Sequence, residues 1–172
     1  MLFRSISRVK DHTREQVDLN PKRILERSVY SGHYCFAKND HAQGFLSPVE
    51  WEVYVRWVDF LVHQGCKPPR GFVYLRANPE ACFERMKKRN RRGEEGITLE
   101  YMAQINDWHE KFLITKDGVA PYLANIPVLV LDANHNLIQD VQRLQMYVEQ
   151  VKEFMRTTQQ VEKFVGATSA PL

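Results

Sequence analysis

Apolar positions recur along this chain in two rhythms, one at helical spacing and one in short unbroken runs, and the two alternate. Leu2, Ile6 and Val9 predict a helix over residues 2–12, ending near Asp11-His12-Thr13. Polar residues 14–21 lead to Ile24-Leu25, an apolar run after Pro21 that predicts a buried strand. Tyr30, Tyr34, Cys35 and Ala37 predict a helix up to about Asp40, broken by Gln43-Gly44. Ser47-Pro48-Val49-Glu50 opens the next helix: Ser47 caps, Pro48 suits the first helical position and Glu50 closes a capping box. Trp51, Tyr54, Val55, Val58, Leu61 and Val62 follow on one face, a stripe read as core, and Gly65 suits the stop.

The second half repeats the alternation. Phe72-Val73-Tyr74-Leu75, after Pro68-Pro69, is a second buried strand. Asn78-Pro79-Glu80 then opens a helix that carries Cys82, Phe83 and Met86 into a basic run. Past Gly93 to Gly96, Thr98 caps a helix bearing Leu99, Met102, Ile105, Trp108 and Phe112. Residues 126–131 form the third and clearest strand, which closes on Asp132 to Asn136. The last helix carries Val141, Leu144, Val148, Val151, Phe154 and Met155. Its pattern weakens beyond Arg156, so residues 1–158 are read as one domain and residues 159–172 as a C-terminal tail. Continuous apolar strands alternating with helices predict an α/β fold, a parallel sheet covered by helices. The right-handed crossover rule puts all three strand ends on one edge, so Glu26-Arg27, Arg76-Ala77-Asn78 and Asp132 to Asn136 are expected to face one crevice.

Charge placement turns this architecture into candidate chemistry. Glu26-Arg27-Ser28 stands at the end of the first expected strand, where ligands of parallel sheets bind. A salt bridge capping a strand end explains the same pair. Residues 85–92 hold six cations in eight residues, with Arg85 and Arg89 four apart on one helical face. Crowded cations of this kind gather a phosphate, cover a solvated face or bind nucleic acid; the run is short and lacks interleaved aromatics, which counts against nucleic acid.

Composition narrows the field without deciding it. The chain has 172 residues, 44% hydrophobic and 26% charged, an ordinary globular balance with length for a real core. A net charge of +3 is too small to imply a nucleic-acid partner, and no apolar run is long enough to span a membrane. Cys35, Cys66 and Cys82 lack metal-ligand spacing and read as free thiols in a reducing compartment, either cytoplasmic or mitochondrial. The first ten residues are basic and free of acids, like the start of a mitochondrial presequence. The helix over residues 2–12 is the preferred reading of them.

Glu26-Arg27-Ser28-Val29-Tyr30-Ser31, followed by Tyr34, Phe36-Ala37 and Asn39, resembles the signature of the deoxynucleoside kinases. A second motif, Arg85 to Tyr101, resembles that family's lid, and the similarity runs from about Ser7 to Met155. The resemblance implies a P-loop kinase-like fold of the nucleoside and nucleotide kinase type. It implies phosphoryl transfer from ATP or another NTP to the 5'-hydroxyl of a deoxynucleoside, with Mg2+, in nucleotide salvage by a homodimer. Glu26 matches the family's general base or Mg2+-site acid, and Arg27 the arginine that orients the acceptor. Arg85, Arg89 and Arg91 match arginines that embrace the donor phosphates, and Glu94 the acid that holds the sugar 3'-hydroxyl. His135, Asn136 and Leu137 match the loop against the donor base.

Arg8 resembles the base-reading arginine of the deoxycytidine and purine kinases, whereas Gly32 replaces their Asp by a small residue, as in thymidine-type members. A pyrimidine preference with broad tolerance is expected from this mixture. The eight glycines, at 32, 44, 65, 71, 93, 96, 118 and 166, form no Gly-x-x-x-x-Gly-Lys-Ser/Thr. The expectation is an N-terminally shortened form that lacks the first strand and the P-loop and has little or no activity. The competing expectation is a non-catalytic form that binds nucleotides or a full-length partner.

Overall fold

The computed structural model describes residues 23–66 and 68–167; the expected first helix, with Arg8, lies outside them. The fold divides into two compact units, the described residues up to Pro68 with Ala103–Val119, and Pro69–Met102 with the described residues from Ala120 onward.

The first unit opens with a correction. Ile24-Leu25 does not form a strand: residues 23–25 have no regular structure, and Ile24 is 73% exposed. A strand holds only where neighbouring chains satisfy its backbone groups. Two apolar residues bury too little area to fix such a segment, and the chain turns at once through Arg27, whose φ is +57°. Helix α1 (Val29–Ser31) starts from a reciprocal cap: Ser31 N donates to Ser28 Oγ at 3.1 Å, and Ser28 N to Ser31 Oγ at 3.0 Å. It runs on through a π-helical stretch (Gly32–Ala37) into α2 (Lys38–Ala42), with right-handed helical backbone at both junctions.

Helix α3 (Pro48–Gly65) begins as its sequence dictates. The Glu50 carboxylate accepts from Ser47 N at 2.8 Å and from Ser47 Oγ at 2.7 Å, while Ser47 Oγ accepts from Glu50 N. Tyr54, Val58 and Val62 are buried on its inner face. A second π-helical stretch (Lys111–Thr115) brings Phe112 onto Tyr34 of the first, with ring centroids 4.8 Å apart and planes 5° from parallel. The Lys38 ammonium lies over the Tyr34 ring and donates to Gly118 O at 3.1 Å, tying the two segments together.

The second unit is built on two parallel strands, β1 (Phe72–Arg76) and β2 (Val128–Asp132), in register from Phe72 opposite Val128 to Arg76 opposite Asp132. Helix α4 (Pro79–Arg89) follows β1 after two residues, with Pro79 at its first position. Helix α5 (Leu99–Glu110) leads into the second π stretch, and α6 (Pro121–Ala124) precedes β2. Helix α7 (Val141–Ala167) carries ion pairs Glu149–Lys152 and Glu153–Arg156 along its side and continues past Arg156, where its apolar period weakens. A Cβ on Gly71 would lie 2.6 Å from the Phe154 ring, so the close approach of α7 to the start of β1 dictates glycine there.

Candidate functional site

In the first unit the candidate residues sit at the start of α1. Arg27 adopts the left-handed backbone region, a conformation that costs a non-glycine residue about 1–2 kcal/mol. Strain of this kind persists where surrounding structure enforces it and is often found at working sites. Its guanidinium lies 5.0 Å over the Phe36 ring, and the edge of that ring meets His109 at 6.0 Å. His109 Nδ1 donates to Ile105 O at 2.7 Å, and burial lowers its pKa despite that bond, with Arg27 lowering it further. The imidazole beside Arg27 is therefore neutral near pH 7. Glu26 directly precedes Arg27 in an exposed bend. Gly32 has φ −58°, so its conformation does not demand glycine, and a Cβ added there would meet nothing within 4 Å. Among the described residues, none fills the space beside this position.

Behind this edge lies a layer that sequence reasoning did not assign to the site. His33 stacks against Trp51 and Tyr54, each with centroids 5.8 Å away, and His41 covers Trp51 at 4.4 Å. Asn39 is fully buried and accepts from the Trp108 Nε1–H at 3.2 Å. Phe36, under the Arg27 guanidinium, was also missed as a site residue. The arginine-to-aromatic spacing was visible, but its meaning depends on the π-helical turn between them. Cys35 is buried on the same helix, and burial pushes its thiol up to about 12, which makes it inert.

In the second unit the carboxyl ends of β1 and β2 are laced together. Ala133 N donates to Arg76 O at 2.7 Å, and Asn78 N donates to Asn134 Oδ1 at 2.7 Å. Asn134 in turn donates to Asp132 Oδ1 from its backbone N at 2.9 Å and from Nδ2 at 2.8 Å. These bonds, the backbone one first, hold the Asp132 carboxyl below its ordinary range. Tyr147 Oη donates to Asp132 O at 2.8 Å, which seats α7 on the same edge. Arg85 joins this edge directly: its guanidinium donates to Ala133 O at 2.6 Å, Asn134 O at 2.8 Å and His135 O at 3.1 Å.

The rest of the basic segment lies beyond. Helix α4 ends at Asn90, which turns left-handed with φ +47°, and Gly93 turns again with φ +88°. That reversal lets Arg89 Nη2 reach both Glu94 oxygens, at 2.8 and 2.9 Å. A candidate for the donor's phosphates and one for the acceptor's sugar are thus paired with each other. Arg91 is exposed and makes no ion pair among the described residues. His135 and Asn136 are exposed on the loop after β2, with His135 Nε2 3.5 Å from Asp132 Oδ2 and Leu137 half-buried. Among the described residues no three His, Cys, Asp or Glu side chains cluster as metal ligands, and no helix is long and apolar enough to cross a membrane.

The carboxyl edge of a parallel α/β sheet, here polar and followed by an arginine-rich turn, is where ligands of such sheets bind. The deoxynucleoside kinase family model matches residues 2–156. Deoxycytidine kinase 2 of Gallus gallus is 36% identical over 140 residues, 79% of this chain and 53% of that protein. Thymidine kinase 2, mitochondrial, of Homo sapiens is 40% identical over 126 residues, 73% of this chain and 46% of that protein. Deoxyguanosine kinase, mitochondrial, of Xenopus laevis is 38% identical over 117 residues, 66% and 44%. This chain belongs to the deoxynucleoside kinase family, and the α/β, P-loop kinase-like fold expected from the sequence is that family's type. It spans about half the length of these relatives.

Proposed function

We propose that this chain serves phosphoryl transfer from ATP, or another NTP, to the 5'-hydroxyl of a deoxynucleoside in nucleotide salvage. The observation that carries the proposal is the family match over residues 2–156, which takes in both the Glu26-Arg27 motif and the arginine-rich segment. The attacking hydroxyl must lose a proton while it approaches a phosphorus surrounded by anionic oxygens. A carboxylate near the nucleophile and fixed cations around the leaving phosphate meet that demand. Glu26 is assigned to the acceptor hydroxyl or to a Mg2+ ion, Arg27 to orienting the acceptor, and Arg89 and Arg91 to the donor phosphates. Glu94 is assigned to the sugar 3'-hydroxyl and the loop of His135, Asn136 and Leu137 to the donor base. Mg2+ in such reactions takes one or two carboxylates plus phosphate oxygens and waters. Glu26 would supply one such carboxylate, and a bound Mg2+ would neutralise phosphate charge.

Residues 1–172 contain no Gly-x-x-x-x-Gly-Lys-Ser/Thr, whose backbone amides and Lys cradle phosphates. Radiolabelled transfer from ATP to thymidine and deoxycytidine is therefore expected to be slow with these residues alone, and to vanish in Glu26→Gln. Robust turnover contradicts the missing-cradle argument. No transfer, together with stabilisation only by a protein partner, supports the non-catalytic reading instead.

The space that the described residues leave beside Gly32 supports a pyrimidine-leaning acceptor site, because none of them places a carboxylate there to accept from an exocyclic amino group. Gly32→Asp is expected to fold as well as the parent, within about 0.5 kcal/mol. It should raise stabilisation by deoxycytidine relative to thymidine, by about tenfold in apparent affinity. Thermal-shift titrations with both nucleosides measure the ratio, and an unchanged ratio removes Gly32 from the site.

The outer face of α3 exposes Val49, Val53, Trp57 and Phe60 at helical spacing, opposite its buried stripe. An exposed apolar stripe of this kind supports a homodimer through α3. Light scattering should give twice the chain mass for the parent and the monomer mass for Trp57→Glu; a monomeric parent contradicts it. Two relatives are named as mitochondrial kinases, which supports a mitochondrial location.

A further inference from the structure

We infer that Arg85 is a positioning residue: it sets the loop from Ala133 to Ile138, which reads the base end of the donor, and it does not clamp the donor's phosphates. This rests on the nucleotide-donor reading above and alters one residue's part in it. The guanidinium is engaged by three consecutive main-chain carbonyls, those of Ala133, Asn134 and His135, at 2.6, 2.8 and 3.1 Å. Charge-assisted bonds of this length are strong, and breaking three of them to reach a phosphate is costly. The donors come from the second turn of α4, and the acceptors lie at the point where β2 ends. Arg85 thus fixes the loop to the helix that follows the neighbouring strand.

The loop has little else to hold it in shape beyond its own turn. Asn134 is tied to Asp132 and Asn78 and His135 approaches Asp132, but after His135 the chain is held by Asn136, whose Oδ1 accepts from Ile138 N at 3.2 Å and whose O accepts from Gln139 N at 3.1 Å. His135 and Asn136 are exposed, and Ile138 is 89% exposed. Hydrogen-bonding edges beside a bare apolar surface, at the carboxyl edge of a parallel sheet, suit a planar heteroaromatic base. Arg91, free of ion pairs among the described residues, and Arg89, paired with Glu94, are left as the phosphate contacts.

Calorimetric titration of residues 1–172 with ATP and with inorganic tripolyphosphate separates the two roles. Arg85→Gln is expected to weaken ATP binding about tenfold while leaving tripolyphosphate affinity within about twofold. Arg91→Gln should weaken both ligands alike. Arg85→Lys keeps the charge but not the three in-plane donors, so it should fail to restore ATP binding. Loss of tripolyphosphate affinity in Arg85→Gln, or its recovery in Arg85→Lys, overturns the assignment. So does a parent protein that binds ATP no better than tripolyphosphate, since the loop then reads no base. A parent that binds neither ligand defeats the donor reading itself. In that case hydrogen exchange still decides the positioning role: amides 135–138 should exchange faster in Arg85→Gln than in the parent, and unchanged rates refute it.

Discussion

Phe112→Ala is expected to destabilise the protein by about 3–5 kcal/mol, the range for deleting a fully buried phenyl ring. Phe112 is 2% exposed and stacks face to face on Tyr34 at 4.8 Å. It joins the two π-helical stretches, and the Lys116 ammonium lies 5.9 Å from its ring centroid. Truncation leaves a cavity that neither stretch can close without moving Tyr34, a residue of the helix that carries Gly32. In a chain of this size the loss lowers Tm by roughly 10 °C. Ile138→Ala, at a site 89% exposed, should change stability by no more than about 0.5 kcal/mol. Urea unfolding of both variants tests the contrast, and equal losses contradict the packing described for Phe112.

Stability is expected to fall as pH drops from about 6.5 to about 4, because of His33. Burial among Trp51, Tyr54 and Tyr34, with Lys38 adding a like charge, lowers its pKa from 6.5 to about 4. The unfolded chain takes up a proton through this window while the native state does not. The contribution is therefore fully present above 6.5 and lost as pH passes down through the native value. Its size is about 3 kcal/mol, from roughly 1.4 kcal/mol per unit. His33 Nδ1 has no hydrogen-bond partner among the described residues, so His33→Phe removes a titrating ring without removing a bond. The variant should show a flatter pH dependence and be the more stable protein at pH 4.5. His109, also lowered by burial, leaves a residual slope of the same sign. Identical pH profiles for parent and variant contradict the burial of His33.

The strands Phe72–Arg76 and Val128–Asp132 were legible because each is an unbroken apolar run with breakers before it. The helix starts were legible because Ser47-Pro48 and Asn78-Pro79 satisfy or remove the orphan N–H groups of a first turn. Ile24-Leu25 misled, since a two-residue run says nothing about whether a ladder partner is present. The π-helical stretches were not legible either: Tyr34 and Phe112 were read into ordinary helices, and nothing in the apolar spacing marks the wider turn that stacks them on each other. Within the candidate site, the residue types were read from sequence and their partners were not. Arg85 bonds main-chain carbonyls 48 to 50 residues away, which carry no side-chain signal. Arg89 and Glu94 are five apart, outside ordinary helical pairing, and meet only because Asn90 and Gly93 reverse the chain.

The most direct measurement is calorimetric binding of thymidine and ATP to residues 1–172 and to two variants. Both ligands should bind the parent, Arg27→Gln should lose thymidine while keeping ATP, and Arg91→Gln should lose ATP while keeping thymidine. A parent that takes up neither ligand, or variants that lose both together, would contradict these roles.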